Sequence, residues 1–246
     1  MKAMILAAGL GTRLRPLTNT RPKALVEVNG RTLLEIALAR LRSFGIRELI
    51  INVHHFADMM VDYLKTNQNF GMRIEISREP ELLDTGGGIK QAGWFFLENR
   101  PDEPFIVHNV DVITAIDLDR MIKFHTEHQA LATVAVQKRE TSRYLLFDEK
   151  LQLCGRRIGN DKTQLVPGSQ PKQELAFACI HVISPRLLPM LKEEGAFSII
   201  PAYLRLAAER EKILAFRADE SYWRDVGSPE HLAQAAQEMR TKIAPP

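Results

Sequence analysis

The sequence predicts an α/β fold, a mostly parallel mixed sheet flanked by helices on both faces. Three observations carry this reading. Unbroken apolar runs ("AMILA", "ELIINV", "LATVAV") recur along the chain, as in strands buried on both sides. Segments of helical periodicity separate them, and that alternation is the signature of βαβ units. Polar stretches punctuated by Gly and Pro follow several strands, at the carboxyl edge where open parallel sheets bind ligands.

Lys2 to Ala7 reads as the first strand. "ALVEVNG" reads as a short strand ending in an Asn29-Gly30 turn. Leu33, Leu34, Ala37, Leu38 and Leu41 then fall on one helical face, with Gly45 suited to the C-terminal cap. "ELIINV" is a strand, Ala57 to Leu64 a helix, "RIEIS" a strand, and Gly88 to Leu97 a helix. "FIVHNVD" is strand-like up to Asp111, followed by a helix from Asp117 to His128 and the strand "LATVAV". Between Arg139 and Lys172 the rhythm loosens, and short strand candidates ("YLLF", "LQLC") alternate with polar loops. This suits an insertion, spanning about 139–176, over one end of the sheet. "AFACIHVI" resumes the core, with helices at Pro185–Leu191 and Ser198–Glu209 and a strand at Ile213–Phe216. Ser228 as N-cap, Pro229 at the first helical position and Glu230 in the first turn mark the start of the final helix. With no repeat, linker or second core, residues 1–246 read as one domain.

The totals exclude several classes. The 33 basic and 30 acidic residues nearly cancel, so a nucleic-acid surface is not expected. Two cysteines, Cys154 and Cys179, both in apolar surroundings, offer no metal-binding spacing and read as reduced thiols. The N-terminal apolar run is too short for a membrane span, and Arg13 and Arg15 stand where a signal-peptide cleavage site would lie. The expectation is a cytoplasmic protein with no membrane partner, a monomer or small homo-oligomer.

The stretch "AAGLGTRLRPLTNTRPKAL" after the first strand is the main functional clue. Gly9 and Gly11 let a backbone turn and present N–H groups to an anion. The dinucleotide fingerprint fails because Leu14 takes the third glycine position and Pro16 obstructs the helix; the P-loop fails for want of Gly-Lys-Ser/Thr. Arg13, Arg15, Arg21 and Lys23 around a flexible loop suit a polyphosphate.

This stretch closely resembles the signature of sugar-1-phosphate nucleotidyltransferases, G-x-G-T-R-[LM]-x-P-L-T followed by P-K-x-L. "DTGGGI" (84–89), "HNVDV" (108–112) and "YWRDVGSPEHL" (222–232) extend the resemblance over nearly the whole chain. It is strongest to short bacterial members acting on N-acetylmuramate-1-phosphate with UTP, with mannose-1-phosphate guanylyltransferases as cousins. The resemblance implies a Rossmann-like nucleotide-diphospho-sugar transferase fold with no left-handed β-helix after the final helix. It also implies a reaction in which a sugar-1-phosphate attacks the α-phosphorus of a nucleoside triphosphate and pyrophosphate leaves. By the same resemblance Asp111 and Asp225 hold Mg²⁺, Arg13 takes the leaving phosphates, and Lys23 serves the α-phosphate, so that Arg13, Lys23 and Asp111 are catalytic. Leu6, Ala7, Ala8, Gly9, Gly11 and Thr12 meet the nucleotide, with Glu79, Thr85, Gly86 and Gly87 around the base. Asn109 and Glu174 are the sugar-side candidates. Two departures stand out: Val110 replaces the small residue of N-G-D, and the E-K-P motif has no match at 150–176, where Lys172 and Glu174 lie nearest. A UDP-sugar product used in cell-wall recycling is the leading expectation. GDP-mannose or dTDP-glucose synthesis and a non-catalytic nucleotide-sugar-binding relative are the alternatives.

Other residues have plainer readings. His54 and His55 lack a third ligand and read as structural. Trp223 reads as a packed aromatic or a sugar platform, and His125 and His128 as partners for carbonyls at a helix end.

Overall fold

The computed structural model describes residues 1–242 except Arg100, Asn160 and Asp161. β1 (Lys2–Leu6) runs into a loop of three short 3-10 turns (Thr12–Leu14, Leu17–Asn19, Lys23–Leu25). A small ribbon of β2 (Glu27–Val28) and β3 (Arg31–Thr32) leads to α1 (Leu33–Ser43), whose first turn is capped by Thr32 Oγ1 accepting from Glu35 N at 3.1 Å. β4 (Glu48–Val53), α2 (Ala57–Thr66) and β5 (Arg73–Arg78) follow, then α3 (Asp84–Gln91), α4 (Gly93–Leu97) and β6 (Phe105–Asn109). β7 (Val112–Thr114), α5 (Leu118–Glu127) and β8 (Ala132–Gln137) complete the first half. The second half holds β9 (Arg143–Phe147), β10 (Leu153–Ile158), β11 (Lys162–Leu165), β12 (Gln173–Ile183), α6 (Ile199–Ala208), β13 (Ile213–Arg217), β14 (Trp223–Asp225) and α7 (Pro229–Lys242).

The main sheet runs β13-β8-β12-β6-β1-β4-β5. β1 is parallel to β4 and β6, β4 to β5 and β8 to β13, while β12 alone runs antiparallel to its neighbours. The expected mostly parallel mixed sheet is therefore present. Its inner strands β1, β4, β6 and β8 are largely apolar because both faces are covered, whereas the edge strand β5 is polar and partly exposed. Ala3, Ile5, Leu49, Ile51 and Ile106 pack on one side under α1, α2, α5 and α7. Met4, Ile50, Phe105 and Val107 point the other way, under α3, α4 and α6.

The 139–176 segment is the antiparallel unit β9-β10-β11, and residues 160 and 161 inside it lie outside the described residues. β9 pairs with the first half of β12, at Gln173–Ala176, and β6 pairs with the second half, at Ile180–Ile183. The unit thus extends the sheet past the carboxyl end of β6.

Three expectations need correction. The helix expected from Gly88 starts at Asp84 and breaks at Ala92 into α3 and α4. Three glycines look like a loop, but here they let the helix press on its neighbours. A Cβ at Gly86 would lie 2.3 Å from the Phe197 ring, and one at Gly87 would lie 2.6 Å from Gly195 O. The helix expected at Pro185–Leu191 is a 3-10 helix, Pro185–Met190, with Pro189 inside it. β7, β11 and β14 are too short or too polar for sequence periodicity to reveal. His128 does close a helix end, donating from Nδ1 to Phe124 O at 2.9 Å, whereas His125 bonds Thr133 Oγ1 at 3.0 Å.

Burial lowers the pKa of His108 and His125 from 6.5 to about 4, and that of His181 to about 3. All three stay neutral in the folded chain while the unfolded chain takes up protons near pH 6.5. Their folded pKa values are depressed, so full stability holds above that pH and is lost as pH falls through 6.5 towards 4. The expected slope is about 1.4 kcal/mol per pH unit for each histidine. Urea midpoints at pH 7.5 and pH 5 measure it, and an unchanged midpoint would refute neutral burial. Gly86→Ala should cost about 2 kcal/mol or more through overpacking. A urea midpoint equal to that of the parent would show that Phe197 yields freely.

Candidate active site

Register places the site. Leu6 pairs with Asn52 of β4 on one side and Asn109 of β6 on the other, so three strands end at one level. Above them opens a cleft of about 410 Å³. Its floor is Leu6 to Gly9, one wall is Asn109 to Asp111 with Lys23, and the other is Glu79, Leu82, Asp84 and Thr85.

The loop after β1 is anchored, not free. Leu14 is fully buried, and Gly11 takes φ +63°, with its carbonyl accepting from Thr18 Oγ1 at 2.8 Å. A side chain at Gly11 would meet Thr18 Cγ2 at 2.9 Å and Lys23 Cβ at 3.0 Å, so only glycine lets the two ends of the loop meet. That closure seats Lys23, nearly buried, in an ion pair with the Asp111 carboxylate.

Asp111 follows β6 and opens the β7–β14 ribbon. In this ribbon Asp225 lies opposite Val112, and Val226 N donates to Asp111 O at 2.9 Å. Residues from distant parts of the sequence are thereby fixed side by side. Asp225 Oδ1 accepts from Gly227 N at 2.6 Å, and Arg13 Nη2 stands 3.8 Å from Asp225 Oδ2. Arg13 itself is 64% exposed, free to reach a ligand. A Cβ on Gly227 would strike Arg13 Nη2 at 2.5 Å, so glycine is needed for that approach.

The opposite wall is a relay of buried polar groups. Asn52 Oδ1 accepts from Ala7 N at 2.7 Å, and Asn52 Nδ2 donates to Glu79 Oε1 at 2.7 Å. Glu79 Oε2 accepts from Leu83 N at 3.0 Å. Glu79 is only 3% exposed with both oxygens engaged, so it ties the first loop to the start of α3. His54 Nδ1 donates to Glu79 O at 2.8 Å, while His55 is exposed and packs on Phe56.

The structure brings Leu6, Ala7, Ala8, Gly9, Lys23, Glu79, Thr85, Asn109 and Asp111 to one cleft, with Arg13 and Asp225 beside it. Gly11 and Thr12 stand behind it in the loop's turn. Gly86 and Gly87 are buried, and their N–H groups donate to Phe197 O at 2.8 and 3.2 Å, so they shape the wall without facing the cleft. Thr85 Oγ1 accepts from Ile199 N at 3.0 Å. Glu174 is drawn elsewhere: its carboxylate pairs with Arg157 across the outer strands, which also holds its pKa below the usual range. Arg15 and Arg21 are exposed.

Sequence reasoning missed Asn52 and Arg139. A lone Asn inside the apolar run "ELIINV" was the available signal for the first. Arg139 had none, since its place depends on tertiary contacts with Phe177 and Trp223.

The nucleotidyl transferase family model matches residues 2–146. The chain is 34% identical to an N-acetylmuramate alpha-1-phosphate uridylyltransferase of Caulobacter vibrioides, covering 97% of this chain and 96% of that protein. It is 31% identical to the mannose-1-phosphate guanylyltransferase catalytic subunit beta of Danio rerio over 93% of this chain, and spans 62% of that relative's length. Among solved structures, HddC from Yersinia pseudotuberculosis in complex with GMP-PN superposes with a TM-score of 0.76 at 21% identity, covering 97% of this chain and 99% of that one, a likeness of fold. On the family match and the full-length relative, the chain belongs to the nucleotidyl transferase family, as an enzyme of its sugar-1-phosphate class.

Proposed function

We propose that this chain transfers a uridylyl group from UTP to N-acetylmuramate-1-phosphate, releasing pyrophosphate. The observation that carries the reaction is the meeting of Lys23, Asp111, Asp225 and Arg13 at the mouth of one cleft. The choice of base and sugar rests on the 34% identity with the uridylyltransferase. A cytoplasmic role in cell-wall recycling would follow from that sugar.

Asp111 and Asp225 suit Mg²⁺, which takes one or two carboxylates and fills its remaining positions with water and phosphate oxygens. The β7–β14 ribbon fixes the two aspartates side by side next to the cleft, a donor pair that leaves the remaining positions to phosphate oxygens and water. Bound there, the ion would neutralise phosphate charge and order the phosphates for in-line transfer. The residues of the chain supply the rest. The triphosphate lies along Leu6 to Gly9, with its base toward the Glu79 wall. Lys23, already balanced by Asp111, meets the charge that develops at the α-phosphoryl group. Arg13 offers its fork of donors to the departing β- and γ-phosphates. An oxygen of the acceptor phosphate forms a bond to the α-phosphorus as the bond to the β-phosphate bridge breaks, and the electron pair leaves with pyrophosphate. No protein group must give or take a proton, so positioning and charge do the work.

Guanylyl transfer to mannose-1-phosphate is the second reading, favoured by the relatives that match 93% of this chain at about 30% identity. Pyrophosphate release, with Mg²⁺ and UTP, dTTP, GTP, CTP or ATP crossed against N-acetylmuramate-, glucose-, N-acetylglucosamine- and mannose-1-phosphate, separates the two. Release with UTP and N-acetylmuramate-1-phosphate alone is expected; preference for GTP with mannose-1-phosphate would replace the first reading by the second. Asp225→Asn should lower kcat by about 100-fold or more. Its thermal midpoint should stay near that of the parent, because among the described residues the carboxylate's one hydrogen bond is with Gly227 N and Arg13 stands 3.8 Å away. An Asp225→Asn enzyme within tenfold of the parent would remove Asp225 from the machinery. EDTA should abolish turnover and excess Mg²⁺ restore it, and turnover persisting in EDTA would exclude the metal.

A further inference from the structure

We propose that Arg139, stacked on Trp223 beside Asp225, binds the phosphate of the acceptor sugar-1-phosphate. The assignment rests on the nucleotidyl-transfer reading above and names a residue for its second substrate.

Trp223 and Asp225 are two residues apart on β14, so both side chains lie on the same face of the ribbon. Trp223 is locked in place by Nε1 donating to Ala178 O at 2.8 Å. The Arg139 guanidinium lies over its ring, 3.7 Å from the centroid, and Nη2 donates to Phe177 O at 2.8 Å. Both contacts fall on β12 where its pairing with β8 is irregular between Phe177 and His181, and where Cys179 takes φ +58°. The bulge turns the backbone of β12 toward the β14 ribbon.

Among the described residues Arg139 has no direct ion-pair partner, and Asp225 acts on it only from a longer distance. A guanidinium carries five N–H donors. Among the described residues Phe177 O is the only acceptor it reaches, its Nε is buried with no partner, and no carboxylate lies within ion-pair distance. Burial lowers its pKa, a cost that a bound dianion would reverse. The same corner holds the reacting groups. Cys179 feels the charges of Asp111, Asp225, Arg139 and Lys23 together, and burial with the two carboxylates pushes its thiol up to about 12, so the thiol stays protonated and unreactive.

The chemistry requires such a cation. Two phosphate anions must meet at one phosphorus, and in-line displacement keeps the attacking oxygen apart from the leaving pyrophosphate. Lys23 and Arg13 serve the donor, and Arg139 lies outside the cleft that would hold it. A planar fork fixed on an aromatic ring is the geometry that grips a phosphate with two parallel hydrogen bonds.

Steady-state kinetics of the parent, Arg139→Gln and Arg139→Lys test this, varying each substrate with the other saturating. For Arg139→Gln the acceptor KM should rise about tenfold or more while the UTP KM stays within about twofold. Arg139→Lys keeps the charge and an aliphatic stem on Trp223 but lacks the fork, so its acceptor KM should rise about threefold, again with the UTP KM unmoved. If the Gln variant does not fold, the Lys variant carries the test alone. An acceptor KM unchanged in the folded variants overturns the proposal. So do KM values that rise together for both substrates, the mark of a merely structural arginine. A parent enzyme silent with every sugar-1-phosphate would overturn the transfer reading itself, a result separate from any variant.

Discussion

The ion pair between Lys23 and Asp111 is the joint on which the active end of this molecule turns. It closes a loop whose only regular elements are short 3-10 turns, and it does so just past the end of a strand that is buried up to its half-buried last residue, Asn109. Each partner restrains the other: the lysine cannot wander into solvent, and the carboxylate cannot turn away from the cleft. A nearly buried ammonium would be costly alone, and the carboxylate offsets that cost. Gly11, Thr18 and Leu14 all serve the same closure, since each allows the chain to double back far enough for Lys23 to reach β6.

The opposite wall follows a different logic. There the polar groups are spent on one another, from Ala7 N through Asn52 and Glu79 to Leu83 N. Such a satisfied relay holds a cleft open at a fixed width. The glycines of α3 act in the same sense. A Cβ at Gly88 would lie 2.8 Å from Glu79 Oε1, so the helix comes close enough to the relay only because that position is bare. One wall of the site is thus built for charge, the other for shape.

The sheet was legible because its strands are buried on both faces, which writes continuous apolar runs into the sequence; β1, β4 and β8 could be read directly. α7 carried its capping residue, Ser228, in plain view, while the caps of α1 and α5, Thr32 and Asp117, emerge from the structure. α3 did not, because its first turn is written in glycines whose purpose is visible only beside Phe197 and Gly195. The first loop and both aspartates were found through their motifs, while the manner of their meeting was not, since β7 and β14 are three residues each. Glu174 shows the limit most clearly. Position along the chain suggested the sugar side, but a local partner, Arg157, claims its carboxylate. Arg139 is the converse: nothing in its neighbours along the sequence marks it, and only the bulge of β12 and the Trp223 ring give it a place.

The β7–β14 ribbon also sets the order in which this protein comes to exist. Asp111 is made early and Asp225 late, and the main sheet from β1 to β13 precedes Asp225 along the chain. A chain emerging from a ribosome can therefore pair the strands of its main sheet while Asp225 and α7 are still unmade. A product cut short before Asp225 would lack one of the two carboxylates that the proposed transfer needs, together with α7, which packs on the core through Ala235.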